Sequence, residues 1–265
     1  MKQITATVMA KGEPITGLPR PQGRSIRFSQ TIKLNCPEIE KPQPGQFVMV
    51  RCGDECVLPR PFSIHQVTDR EDLTLYFAVL ENGKGTDWLS RRQVGDKVEL
   101  TGPMGKGFSI EPTSHKLLLI AGGMGVASLY FLAEEAFKKG YSVTMMYGTA
   151  TRNPYPVDHL TPGIKTLIST EDGTAGKKGL ITEFIPEYID WADQTFTCGP
   201  LPMYKKMAEM PELKNKRVQV SLEVRMGCGR GVCYGCTVKT RSGLKQVCTD
   251  GPVFDLDDII WDELS

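Results

Sequence analysis

The sequence predicts a β-rich half, then a parallel α/β half, then a short cysteine-bearing segment. Three observations predict this. Four short β-prone runs punctuated by Gly and Pro precede residue 112. A strand–turn–helix–strand unit follows directly after it. Four cysteines at fixed spacing lie beyond Glu223. Short strands with regular turn signals point to a barrel or a sandwich, and a βαβ unit implies a parallel sheet.

Taken in order, MKQITATVMA alternates apolar and polar residues and reads as a strand. Residues 11–25, KGEPITGLPRPQGRS, are rich in Pro and Gly and read as a loop. Strands are expected over 26–34, 46–52, 73–80 and 97–101. After Pro112 the texture changes. Residues 116–121 form a compact apolar strand, a glycine turn follows, and 127–139 read as a helix ended by Gly140. Residues 142–147 are the next strand. Further strands are expected over 164–169, 195–198 and 218–222, and helices over 182–188 and 202–210. No internal repeat or low-complexity tract interrupts the chain. The expected divisions are 1–112, 113–222 and 223–265.

Composition excludes several classes. The chain has 265 residues, with 32 Lys+Arg against 31 Asp+Glu. With balanced charge and no long basic run, nucleic acid is not the expected partner. Eight cysteines would suit a disulfide-stapled secreted protein, but a chain this long can build its own core. The N-terminus lacks the apolar stretch of a signal peptide, and no run of about 18 apolar residues could span a membrane. The expected location is the cytoplasm.

The cysteines carry the most specific signal. Cys228, Cys233, Cys236 and Cys248 lie in MGCGRGVCYGC…QVCTDGPVF with spacing C-x4-C-x2-C-x11-C. Three thiolates on one glycine-rich loop and a fourth further on form the plant-type [2Fe–2S] ligand pattern. The loop must fold tightly around two irons, and Gly227, Gly229, Gly231 and Gly235 tolerate the backbone angles this needs. A four-cysteine zinc site is the competing reading, but such sites usually show two C-x2-C pairs and only one occurs here.

Two further constellations are candidates for organic cofactors. Arg60, Pro61, Phe62 and Ser63 lie in the β-rich half. The arginine fork can pair with a phosphate, and the serine can present its hydroxyl and N–H to a flavin ring edge. Gly83-Lys84-Gly85-Thr86 follows a strand and opens a helical turn, offering free N–H donors to a phosphate; an ordinary strand-to-helix turn is the plain alternative. Residues 101–108, TGPMGKGF, are another backbone-permissive loop. In the α/β half, Gly122, Gly123 and Gly125 follow the 116–121 strand. They match the first half of G-x-G-x-x-G, with Ser128 in its last position. Cys198, Gly199 and Pro200 form a second strand-to-helix junction. In a parallel sheet both junctions can face one crevice, with Thr170-Glu171-Asp172-Gly173 at its rim.

Arg-Pro-Phe-Ser in a β-domain, a Gly-Gly-x-Gly turn with a later Cys-Gly-Pro, then four cluster cysteines: in this order the chain resembles the ferredoxin-reductase superfamily. Within it, the chain is similar to the electron-transfer subunits of type B dihydroorotate dehydrogenases, most specifically from Glu223 to Phe254. The resemblance implies an N-terminal antiparallel β-barrel holding FAD, a Rossmann-like parallel α/β domain taking NAD(H), and a small C-terminal [2Fe–2S] segment. Residue by residue, it implies FAD at Arg60–Ser63, at Ala78, Val79 and Leu80, and at Gly85 and Thr86. It implies the cluster at Cys228, Cys233, Cys236 and Cys248. The implied route runs from NADH to FAD to the cluster to an FMN-containing dihydroorotate dehydrogenase catalytic subunit, in a heterotetramer of two of each. No dihydroorotate oxidation is expected of this chain alone. A reductase subunit of a hydrogenase or sulfite reductase complex is the alternative.

The remaining reactive residues have plainer readings. Cys198 lies near the flavin and nicotinamide or is simply a small buried residue. Cys36, Cys52 and Cys56 read as ordinary thiols and His65 as structural. Ile259, Ile260 and Trp261 are either core or a partner-facing patch. Arg152, after the second α/β strand, can meet a 2′-phosphate if NADP is used instead of NAD.

Overall fold

The computed structural model describes residues 2–16, 25–68, 71–152 and 157–264. Most of the expected 11–25 loop, residues 17–24, lies outside them. The β-rich half is a closed barrel of six strands, β1 (Lys2–Lys11), β2 (Ile26–Asn35), β3 (Phe47–Val50), β4 (Arg60–Val67), β5 (Asp72–Leu80) and β6 (Lys97–Met104), in the order β1-β2-β5-β4-β3-β6. Every neighbouring pair is antiparallel, and β6 returns to β1 with Lys2 opposite Gly102. Alternation drives the closure: Ile4, Ala6 and Val8, then Ile32 and Leu34, then Val98 and Leu100, all point into one core. β4 begins on Arg60 and Pro61, where a missing proline N–H costs least. A seven-residue helix, α1 (Lys84–Ser90), follows β5.

The second half is a seven-stranded sheet in the order β10 (Lys177–Lys178), β9 (Lys165–Thr170), β8 (Ser142–Thr149), β7 (Lys116–Gly122), β11 (Gln194–Cys198), β12 (Val218–Ser221) and β15 (Val253–Asp255). Strands β7 to β12 are parallel, as the βαβ pattern required. α2 (Val126–Lys138) crosses from β7 to β8, and α3 (Leu201–Glu209) follows β11. The helix expected over 182–188 is instead a 3-10 segment, Ile181–Glu187. Pro186 sits inside it, and proline removes an N–H and crowds the preceding turn, so a longer α-helix cannot form there.

The C-terminal segment adds a hairpin, β13 (Thr237–Thr240) with β14 (Gly243–Gln246), and returns β15 (Val253–Asp255) antiparallel onto β12. It does not hang free. One apolar cluster joins Met49 and Met104 of the barrel, Leu118 and Ile120 of the sheet, and Val238, Val247, Leu256 and Ile259 of the segment. The two halves also meet where α2 packs on β4. There, buried His65 Nδ1–H donates to the Ala127 carbonyl at 3.0 Å, with the Tyr130 ring 4.4 Å and the Tyr76 ring 5.5 Å away. Among the described residues no helix is long and apolar enough to cross a membrane.

Candidate functional site: an arginine corner, a glycine turn and a cysteine loop

On the barrel, strand alternation decides which nominated residues face outward. Arg60, Ser63, Ala78 and Leu80 keep some exposure, whereas Phe62 and Val79 turn into the barrel core. Phe62 packs edge-on to Phe77 at 5.5 Å, so it and Val79 have only backbone groups to offer a ligand. Arg60 is held over the start of α1. Its Nη1 donates to the Leu58 carbonyl at 2.7 Å, and its stem crosses Gly85 so closely that a Cβ there would lie 2.9 Å from Arg60 Cγ. Gly85 is glycine because the arginine occupies the space of its side chain. Thr86 staples the same corner: its hydroxyl donates to the Gly83 carbonyl at 3.2 Å and accepts from Leu80 N–H at 3.4 Å. The fold therefore brings Arg60, Leu80, Gly85 and Thr86 to one edge of the barrel, a guanidinium beside a glycine turn.

On the sheet, β7 runs through Gly122 into the short 3-10 turn Gly123–Gly125 and then α2. Cys198 at the end of β11 lies opposite Ala121 at the end of β7. The two junctions touch backbone to backbone. A Cβ on Gly125 would fall 2.0 Å from the Cys198 carbonyl oxygen, and one on Gly122 would fall 2.8 Å from Pro200 Cδ. Gly123 has φ +53° and nothing within 4 Å of its Cβ position, so it faces open space. The rim segment also joins in: the Thr174 hydroxyl accepts from Arg152 N–H at 2.8 Å and donates to Asp172 at 2.6 Å. The Thr174 and Thr151 side chains hold the Asp172 carboxyl down at about 2. Cys198 is fully buried, and burial, reinforced by Glu223, pushes its thiol up to about 12. It is no thiolate nucleophile at neutral pH.

Of the four motif cysteines, Cys236 and Cys248 are buried, Cys228 is half-buried and Cys233 is exposed. The donor set fits the cluster. Backbone N–H groups point at the sulfurs, with Arg230 N and Gly231 N each 3.3 Å from Cys228 Sγ and Cys248 Sγ respectively. Desolvation works against the Cys228 thiolate, but N–H donors from Arg230, Val232 and Cys233, with the Cys233 side chain, bring the thiol down to about 6. Of the loop glycines, Gly229 (φ +66°) and Gly231 (φ +76°) take the left-handed region. A Cβ on Gly229 would lie 2.6 Å from Met49 Cγ, so this glycine seats the loop on the barrel. Gly227 approaches Leu58, two residues before Arg60, with 3.9 Å between its Cβ position and Leu58 Cδ1. The cysteine loop thus adjoins the arginine corner.

Residue types alone did not single out Met49, Met104 or Tyr204. The methionines pack under the cysteine loop, and the buried Tyr204 hydroxyl touches the Cys198–Gly199 junction. None of the three belongs to a motif; each acquires its place only through long-range packing.

A closed antiparallel barrel beside a parallel nucleotide-type sheet, with a four-cysteine segment packed against both, defines a flavin-dependent NAD(H) oxidoreductase component built for electron transfer. Comparison with known proteins agrees. The family described as the iron-sulfur cluster binding domain of dihydroorotate dehydrogenase B matches residues 223–260. The "Dihydroorotate dehydrogenase B (NAD(+)), electron transfer subunit" of Clostridium acetobutylicum is 40% identical over 215 residues, 80% of this chain and 84% of that one. Its counterpart from Caldanaerobacter subterraneus subsp. tengcongensis is 36% identical over 226 residues, 84% of this chain and 89% of that one. A solved chain of an NADH-dependent reduced ferredoxin-NADP oxidoreductase superposes with TM-score 0.83 at 26% identity, covering 97% of this chain and 90% of that one. The chain belongs to the family of dihydroorotate dehydrogenase B (NAD(+)) electron transfer subunits, as the cysteine run and the order of its motifs implied.

Proposed function

We propose that this chain carries electrons between NAD(H) and an FMN-containing dihydroorotate dehydrogenase catalytic subunit, through FAD and a [2Fe–2S] cluster, in pyrimidine biosynthesis. The four cysteines on a loop seated against the arginine corner, with backbone N–H groups aimed at their sulfurs, carry this reading. Bound flavin supplies the exchange between a hydride pair and single electrons. The chain's own residues position and shield. Arg60 and the Gly83–Thr86 turn hold the flavin phosphates, and Ser63, Ala78 and Leu80 line the ring. Phe62, Val79 and Pro61 shape that edge of the barrel. Gly122, Gly123 and Gly125 admit the nucleotide phosphates, with Cys198, Gly199 and Pro200 walling the nicotinamide side. Residues 1–112, 113–222 and 223–265 are the flavin, nucleotide and cluster parts.

The partner docks where the cluster comes nearest the surface. Cys233 is exposed, and Val57, Leu58, Val232 and Tyr234 leave large apolar side chains in solvent on its loop and on the loop before Arg60. Exposed apolar side chains gathered in this way mark a contact surface. The assembly is a heterotetramer of two of each subunit in the cytoplasm. An anaerobic visible spectrum tests the cofactors: flavin bands and a broad iron–sulfur shoulder, both bleached by NADH, are expected, and a colourless zinc protein would sink the reading. Cys233→Ser tests the route. It should keep NADH-to-dye activity while losing delivery to the catalytic subunit; unchanged delivery would remove the cluster from the path.

A further inference from the structure

We infer that the Tyr204 hydroxyl is a positioning group that ties the nucleotide turn to the segment bearing the cluster cysteines, so that nucleotide binding and the cluster's electron affinity are linked. The inference rests on the function proposed above and names a residue none of its motifs contains. Tyr204 lies on α3 and is 2% exposed. Its hydroxyl is used on both sides. It accepts the Gly199 N–H at 2.8 Å and donates to the Ser221 carbonyl at 2.6 Å.

Each bond leads to a different site. The Gly199 bond fixes the Cys198–Gly199 peptide, and on that peptide the Gly122–Gly125 turn is seated with no room for a single carbon at Gly125. A turn packed so closely moves only if the peptide moves. The Ser221 bond fixes the last residue of β12, where the chain departs for the cysteine loop. Ser221 is also opposite Val253 of β15, and Leu222 N–H donates to the Pro252 carbonyl, four residues beyond Cys248. The ring is clamped as well. Trp261 stacks on it at 5.4 Å and 30°, and donates its own Nε1–H to the Leu256 carbonyl at 3.0 Å. One hydroxyl therefore joins the nucleotide junction to the strand pair that frames Cys248. Two sites biased by one element are coupled, and the coupling is reciprocal.

The test uses the full chain with flavin and cluster in place, and the hydride-inert analogue 1,4,5,6-tetrahydro-NAD as probe. Tyr204→Phe keeps the ring and its stacking on Trp261 but leaves Gly199 N–H and the Ser221 carbonyl without this partner. Calorimetry should show the analogue binding about tenfold more weakly, within the usual range of coupling between sites. A redox titration followed by electron paramagnetic resonance should show the cluster midpoint shifting when the wild-type chain is saturated with the analogue. The variant should lose that shift. A variant that binds as the wild type does and keeps the shift overturns the inference, as does a less stable variant that keeps the shift or a wild type showing none. A wild-type chain that holds neither cluster nor nucleotide overturns the proposed function itself, and the inference with it. Hydrogen exchange on the wild-type chain reads the link without a substitution. The analogue should slow exchange both near Gly199 and from Ser221 to Cys228; slowing confined to the glycine turn would overturn the link.

Discussion

His65 shows how much one side chain's surroundings decide. Burial holds its imidazole down at about 4, against an ordinary 6.5, although the Ala127 carbonyl favours the proton. The fold keeps it neutral while the unfolded chain takes up a proton below pH 6.5, so its contribution is complete above 6.5 and is lost as pH falls toward 4. The difference of the two values corresponds to about 3 kcal/mol at 1.36 kcal/mol per unit. Thermal midpoints measured from pH 7 to pH 4 should therefore fall steeply, and His65→Phe should flatten part of that fall. The sequence reading of His65 as structural agrees with this burial; its contact with α2 was not legible, because Ala127 is 62 residues away. One glycine and one arginine give equally local predictions. Gly125→Ala places a carbon against the Cys198 carbonyl and should cost about 1–3 kcal/mol of stability, together with nucleotide affinity. Arg60→Ala should weaken flavin binding by roughly ten- to a hundredfold, the equivalent of one charged hydrogen-bonding partner, as read by flavin retention on dilution.

At the scale of elements, legibility followed periodicity. β2, β5, β7 and β8 and the crossing helix α2 lie within a residue or two of their expected bounds, because long apolar patterns leave little choice of phase. Short elements escaped. β10 has two residues and β15 has three, and such strands exist only because a neighbour offers its edge. Strand patterning alone does not separate a barrel from a sandwich, and only the family resemblance points to the barrel, for a related reason: closure depends on Lys2 meeting Gly102, a pairing across the whole domain that no local pattern encodes. The cysteine loop was the opposite case. Three of its four cysteines and all of its glycines lie within ten residues, so spacing alone pointed to the iron–sulfur family that matches residues 223–260.

For the whole molecule the decisive fact is that the cluster segment is built into the other two parts. Val238, Val247, Leu256 and Ile259 share one core with Met49 of the barrel and Leu118 of the sheet. β15 covers the edge of β12, and Lys106 N–H donates to the Gly251 carbonyl. Burying one such aliphatic side chain contributes about 1.5–3 kcal/mol, so these four together are comparable to the entire net stability of a domain, about 5–15 kcal/mol. Removing residues 223–265 would also uncover β12, and an unprotected edge strand invites association with other chains. A chain ending at Leu222 should therefore aggregate, or melt well below the full chain, even though every residue nominated for flavin and nucleotide is retained. If it instead stayed monodisperse, bound flavin and melted with the full chain, the shared core would be incidental and the cluster segment a detachable module. The arrangement has a functional consequence: a cysteine loop fixed in the common core keeps one distance to the arginine corner, and electron transfer between bound centres depends on that distance being kept.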